Sequence, residues 1–251
     1  MRRVRLILAY DGTAYRGFQV QPNGPTIQSA VEEALSRLLC EKVRVGAAGR
    51  TDAGVHAREQ VVDFSDSGKR PLETIRKGGN ALLPQDIRIL SAEEAPPGFD
   101  VRRDAREKEY RYFLHLSPVA SPFFTRYAWH IEKPLDLDAL REGLSHAAGE
   151  HDFASFRGQG CTAKTTVRTI FRAELSGEMP PLHFIRIAGN GFLRHMVRNI
   201  VGTLVDIGKG KMPPGRMREL LELRDRALAG PNAPPQGLFL WKVTYRIKET
   251  A

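Results

Sequence analysis

Gly49-Arg50-Thr51-Asp52-Ala53-Gly54-Val55-His56-Ala57 is the stretch on which the reading of this 251-residue chain turns. It sets one carboxylate, Asp52, two residues from a permanent cation, Arg50. Glycines at both shoulders let a ligand come close to the backbone. Thr51, Ala53 and Ala57 are small, leaving room for a bulky planar substrate beside the carboxylate. By itself, an Asp among glycines is most often a turn residue or a helix cap. The flanks narrow this: residues 43–45 and 60–64 both read as strands, so the run is a glycine-rich loop between them.

Working outward, residues 4–10 form a strand broken by Asp11-Gly12. Residues 26–39 form a helix capped by Thr26, with Ile27, Ala30, Val31, Ala34, Leu35 and Leu38 on one face. Residues 72–82 read as a helix and 87–92 as a strand, and Pro96-Pro97-Gly98 marks a boundary. A second set follows: strands at 110–116, 126–131, 166–175, 182–188 and 240–247, with helices at 137–148 and 192–207. Each half thus gives strands, a helix and returning strands, which implies two related α+β units, 1–105 and 106–251.

Apolar residues make up 41% of the chain and charged residues 27%, ordinary values for a globular protein. No apolar run approaches the roughly 20 residues that cross a bilayer. The start, Met1-Arg2-Arg3 leading into Val4-Arg5, is too charged for a signal peptide. Cys40 and Cys161 suggest neither a disulfide framework nor a metal cluster, so a cytoplasmic protein with reduced thiols is expected. The net charge of +9 is unevenly placed. Residues 1–152 hold 22 basic and 22 acidic residues, so the whole surplus lies in residues 153–251. Arg157, Lys164, Arg168, Arg172, Arg186, Arg194 and Arg198 face only Glu174 and Glu178 in sequence from 153 to 205. A phosphate-rich partner or a solvated basic surface both account for such a surplus.

Two further stretches bear on chemistry. In Gly189-Asn190-Gly191-Phe192-Leu193-Arg194-His195-Met196-Val197-Arg198-Asn199 a strand ends, a turn follows, and a helix starts with Asn190 as its cap. Helical spacing then sets Arg194 and Arg198 on one face and Phe192, Met196 and Ile200 on another. In Lys108-Glu109-Tyr110-Arg111-Tyr112-Phe113-Leu114 a strand puts Tyr110, Tyr112 and Leu114 on one side, Arg111 and Phe113 on the other. Aromatics interleaved with cations suit stacking on bases, and equally suit a buried sheet.

The run from Gly49 to Ala57 resembles the signature of the tRNA pseudouridine synthase I family, of the TruA type. The likeness extends to Tyr10-Asp11-Gly12-Thr13 with Tyr15, Gly17, Phe18 and Gln19, and to Thr26-Ile27-Gln28. It continues through Tyr110-Arg111-Tyr112, His151-Asp152-Phe153 with Ser155-Phe156, the segment from Gly191 to Asn199, and Pro235-Gln236-Gly237-Leu238. These blocks span nearly the whole chain in the family's order. The resemblance implies that Asp52 is the catalytic aspartate and that Arg50 helps flip or replace the target nucleotide. It implies that Tyr110 stacks on the base, Arg198 pairs with and orients Asp52, and Leu238 walls the base pocket. Arg168, Arg172 and Arg194 are candidates for RNA-backbone contacts. It further implies a cytoplasmic homodimer acting on the tRNA anticodon stem-loop without cofactor, metal or membrane. The fold class that follows is α+β: two similar sandwich-like units, related to RRM or ferredoxin-like folds, with largely antiparallel sheets forming a central cleft.

Two rival classes fit less well. A retaining glycosidase wants a second carboxylate about 5 Å from the first. Glu59 and Asp63 are the nearest in sequence, and the basic surplus does not suit a neutral sugar. A non-catalytic RNA-binding module explains charge and aromatics but not a carboxylate in an anion-binding groove.

Overall fold

The computed structural model describes residues 1–68 and 70–245, and for 177–179 the backbone alone. The chain divides into two compact units between Arg106 and Glu107, and from Phe239 onward it belongs to the first unit again.

In the first unit, β1 (Arg2–Tyr10), β3 (His56–Asp66) and β4 (Ile87–Glu94) pair antiparallel in the order β4-β1-β3. The short β2 (Gly46–Ala47) also lies antiparallel on β3. The last strand, β10 (Leu238–Tyr245), adds to β3 in parallel, with Phe239 opposite His56 and Leu240 opposite Ala57. That pairing is why the second unit ends earlier than the expected 106–251. Residues 246 and 247 of the expected final strand lie outside the described residues.

Alternation in β1 buries Val4, Leu6 and Leu8 completely, and the unit's helices are α1 (Ile27–Leu39) and α2 (Leu72–Leu82), which pack on each other and, through α2, on β4. Thr26 caps α1 in a reciprocal capping box with Ser29. The buried face of α1 includes one surprise, Glu32, which accepts hydrogen bonds from Gln28 Nε2 (2.9 Å), Val45 N (3.1 Å) and Arg44 Nη1 (2.5 Å). Ser36 Oγ likewise takes the Val43 N–H at 2.9 Å. These bonds explain why 43–45 is not the strand its apolar pattern predicts: its backbone donors go to helix side chains, not to a ladder. Asp63, one of the two carboxylates a glycosidase reading would need, is buried and accepts from Arg3 Nε at 2.6 Å.

The second unit orders β5 (Ala105–Leu116), β9 (Leu182–Gly189), β8 (Val167–Met179) and β7 (Gly149–Asp152) as β5-β9-β8-β7, all antiparallel. β6 (Trp129–Ile131) lies parallel on β5 and is shorter than the expected 126–131. Its helices are α3 (Leu137–Ser145), α4 (Met196–Gly208) and α5 (Arg216–Leu223); α5 follows Gly215 without a side-chain cap and is not among the helices the sequence pattern predicts. The block from His151 to Phe156 serves the core: Phe153, Ser155 and Phe156 are fully buried, and Ser155 Oγ donates to Leu220 O at 2.5 Å. Among the described residues no helix is long and apolar enough to cross a membrane. The architecture is α+β with mostly antiparallel strands.

Candidate active site

Asp52 lies half-buried on the loop joining β2 to β3, beside the exposed Arg50. Two sets of contacts hold this loop. On one side Tyr10, at the end of β1, meets Thr51 hydroxyl to hydroxyl at 2.9 Å. Gln60, fully buried on β3, donates to the Gly49 carbonyl at 2.8 Å and to Tyr10 Oη at 3.4 Å. Burial pushes the Tyr10 phenol up to about 12, with Thr51 and Gln60 opposing, so it stays a hydroxyl at neutral pH.

On the other side the loop 11–18 packs backbone to backbone against it. The Thr51 carbonyl accepts from Phe18 N at 3.0 Å, and Gly54 N reaches Tyr15 O at 3.4 Å. This approach requires glycine. A Cβ on Gly12 would fall 2.0 Å from the Val55 carbonyl oxygen, and Gly17 stands at φ +98° with the Thr51 carbonyl 2.9 Å from any Cβ. His56, fully buried, accepts the Gly12 N–H on Nδ1 at 3.1 Å; Asp11 Oδ1 lies 3.1 Å from the same nitrogen. Its ring stacks on Phe239 with centroids 4.6 Å apart. The two sequence blocks around Asp11 and Asp52 are therefore one structural object. The periodic patterns that identify helices and strands carry no trace of that pairing.

The second unit carries the other expected site residues. Tyr110 on β5 keeps 8% of its surface exposed, and its ring meets Phe192 edge-on at 5.0 Å. Tyr112 and Leu114 on the same face are fully buried core. On the opposite face Glu109 is gripped by Arg111 (2.9 Å) and Arg186 (2.8 Å). Burial pushes that carboxyl up, but the two guanidiniums outweigh it and leave it below the usual range. Arg111 also lies over the Phe184 ring at 4.8 Å.

Arg198 projects from the first turn of α4, where its Nε donates to Ala233 O at 2.7 Å and its own carbonyl accepts from Ala233 N. Tyr112 Oη donates to Pro234 O at 2.8 Å, so β5 and α4 both bind the segment that runs into Leu238, a buried residue at the start of β10. The Tyr112 phenol is raised by burial, and the Arg198 charge partly opposes this.

The helix expected over 192–207 begins four residues later. Its first residue is Met196, preceded by His195 in the left-handed region at φ 60°. Asn190 does not cap it; instead Asn190 Oδ1 accepts from Thr169 N at 3.1 Å, tying the end of β9 to β8. Arg194 consequently precedes the helix and does not share a helical face with Arg198. Arg168 Nη1 donates to the carbonyls of Thr165 (3.0 Å) and Val167 (2.5 Å), while Arg172 pairs with Glu107 at 2.6 Å. Both cysteines are free, and Cys161 sits near this basic cluster. Burial raises its thiol, but the N–H groups of Ala163 and Arg194 and the charges of Arg157 and Arg168 bring it below its ordinary value. Among the described residues no three His, Cys, Asp or Glu side chains gather as a metal-binding group.

The chain matches the model of the tRNA pseudouridine synthase family over residues 6–104 and 145–246. It is 49% identical over 245 residues to a tRNA pseudouridine synthase A of Pelobacter propionicus, covering 98% of this chain and 100% of that protein. A Geobacter sulfurreducens protein of the same description shows the same identity and coverage. The Myxococcus xanthus relative is 45% identical over 246 residues, covering 98% of this chain and 93% of its own. An archaeal box H/ACA Nop10–Cbf5 complex aligns with TM-score 0.38 and 13% identity over 80% of this chain and 44% of that one, too distant to weigh in the argument. The chain belongs to the tRNA pseudouridine synthase family. It is an isomerase that acts on uridine in tRNA.

Proposed function

We propose that the chain converts uridine to pseudouridine in the tRNA anticodon stem-loop, at about positions 38 to 40, with Asp52 as its one catalytic carboxylate. The observation that carries this reading is the setting of Asp52 on a loop held by buried hydrogen bonds and by a second loop with glycine at the points of contact. A half-buried carboxylate on so constrained a backbone suits chemistry at one atom.

The reaction breaks the N1–C1′ bond, turns the uracil, and rejoins it through C5. Attack of the Asp52 carboxylate on C1′, its addition at C6, or removal of a ribose proton toward a glycal each begins that sequence. In all three the target nucleotide must leave its stack, at a cost of a few kcal/mol. Arg50, exposed beside Asp52, is suited to take the place the base vacates. Tyr110 offers a ring edge and hydroxyl to the flipped uracil, Arg198 orients Asp52, and Leu238 supplies an apolar wall. The surplus of positive charge in residues 153–251, with Arg168, Arg172 and Arg194 among its members, engages phosphates. On the same reading the enzyme is a cytoplasmic homodimer that uses no cofactor, as the family resemblance implies.

Carbodiimide-blocked primer extension on unmodified tRNA treated with the protein tests this. Stops confined to the anticodon stem-loop, absent with Asp52→Asn, are expected. Stops elsewhere, or stops that persist with Asp52→Asn, refute it.

A further inference from the structure

Gln60 is an amide in the middle of β3, lying on the same side between the exposed Arg58 and the fully buried Val62, and it has no exposed surface itself. Burying an amide without partners is costly, so its bonds explain its presence. They are fully used. Nε2 donates to Gly49 O (2.8 Å) and to Tyr10 Oη (3.4 Å), and Oε1 accepts from Val61 N (3.2 Å). The Gly49 carbonyl can only accept, which fixes the orientation of the amide. Tyr10 Oη, which accepts from Gln60, also shares a hydrogen with Thr51 Oγ1 at 2.9 Å, with either hydroxyl able to donate. One connected network therefore runs from Gln60 through Tyr10 to Thr51. Thr51 is also held through its carbonyl by Phe18 N, and the Asp52 carbonyl accepts from Val55 N at 3.1 Å. Asp52 thus follows a residue whose side chain and main chain are both clamped.

We propose that Gln60 and Tyr10 are positioning residues for the synthase reaction, setting the Asp52 carboxylate through Thr51 and the Gly49 carbonyl without touching substrate. This rests on the reading of Asp52 as the catalytic group. A merely stabilising core network would lower the melting temperature and leave the turnover of folded enzyme alone. A positioning network lowers turnover with little change in affinity, since a misplacement of about 1 Å can cost on the order of 100-fold.

The test measures single-turnover tritium release from C5-labelled tRNA, well below the melting temperature and per folded molecule, together with tRNA Kd by filter binding. Gln60→Leu, Tyr10→Phe and Thr51→Val are each expected to slow turnover by about 10–100-fold with Kd within about threefold of wild type, whereas Thr51→Ser, which keeps the hydroxyl, restores the rate. Tyr10→Phe removes one oxygen from a buried ring and keeps the question open to an answer if Gln60→Leu fails to fold. Turnover within about threefold of wild type in Tyr10→Phe, or a Thr51→Ser enzyme as slow as Thr51→Val, overturns the proposal. Asp52→Asn is run alongside: its activity, not that of the other variants, decides the underlying reading.

Discussion

Thr51 and Arg168 show how differently two regions of this enzyme hold the groups they present. Thr51 is clamped by Tyr10 on its side chain and by Phe18 on its carbonyl. Behind it lie a fully buried Gln60 and a glycine contact that tolerates no Cβ. Arg168 bonds the carbonyls of Thr165 and Val167, residues of its own stretch, and Arg172 pairs with Glu107 on β5 of the same unit. Chemistry at one carbon needs a reacting group placed to a fraction of an ångström. Attraction for a polyanion sums many charges, each of which tolerates movement. On the proposed roles, rigidity is therefore concentrated where one residue acts, and charge is spread where many do.

The sharpest way to break this contrast is Asp52→Ala. It is expected to abolish pseudouridine formation while tRNA affinity stays within about tenfold, or about 1.4 kcal/mol. Tritium release and filter binding measured on the same preparation check both halves. Normal turnover would remove the contrast altogether.

Tyr110 sharpens it next, because the proposed reading asks one residue both to bind and to react. Tyr110→Phe keeps the ring that meets Phe192 and removes the hydroxyl; a general acid–base part worth about 10²–10⁴-fold should vanish while RNA binding is nearly kept. Tyr110→Ala should also lose a stacking contribution of about 1–3 kcal/mol. Unchanged single-turnover kinetics for Tyr110→Phe would reduce Tyr110 to a platform.

On the spread side, log K for tRNA should fall linearly with log salt, with a slope of several units. Arg168→Gln should flatten the slope by up to about one unit. Arg172→Gln should do less, since Glu107 already offsets that charge. Equal, negligible changes from both would place the phosphate contacts elsewhere in residues 153–251.

The smallest effect concerns pH. Burial lowers the imidazoles of His115 and His183, both in the second unit, with His130 adding to the shift at His115 and Arg141 at His183. The unfolded chain then binds protons that the folded one refuses, so stability falls as pH drops below about 6.5, the ordinary histidine value. Urea midpoints should decline over that range, and His115→Gln should lessen the decline. A flat profile would count against the burial argument.

What could be read beforehand follows the range over which each signal acts. The face of α1 and its Thr26 cap are set by residues three or four apart, and α2 matches its periodicity at both ends. The start of α4 differs from its pattern because Asn190 caps nothing nearby; its partner, Thr169, lies on a strand 21 residues earlier. The same holds for 43–45, whose donors are claimed by Ser36 and Glu32. At the site, the loop of Asp52 and its arginine stand out in the sequence and Tyr10 opens a block of the family resemblance, while Gln60 reads as an ordinary strand residue and nothing local ties Tyr10 to it. Their part depends on a fold that brings β1, β3 and the loop together, which local pattern does not encode.

The parallel addition of β10 to β3 has a consequence for how this enzyme is made. During synthesis the strand bearing His56 emerges long before the Phe239 that stacks on it, with the whole stretch Glu107–Leu238 translated between them. At about 5–20 residues per second that interval is on the order of ten seconds. Throughout it, the backbone of β3 beside His56 waits on the ribosome without its parallel neighbour, and the His56 ring without the ring that stacks on it. The nascent first unit is thus born one strand short, and β3 gains its parallel neighbour only after the second unit has been made.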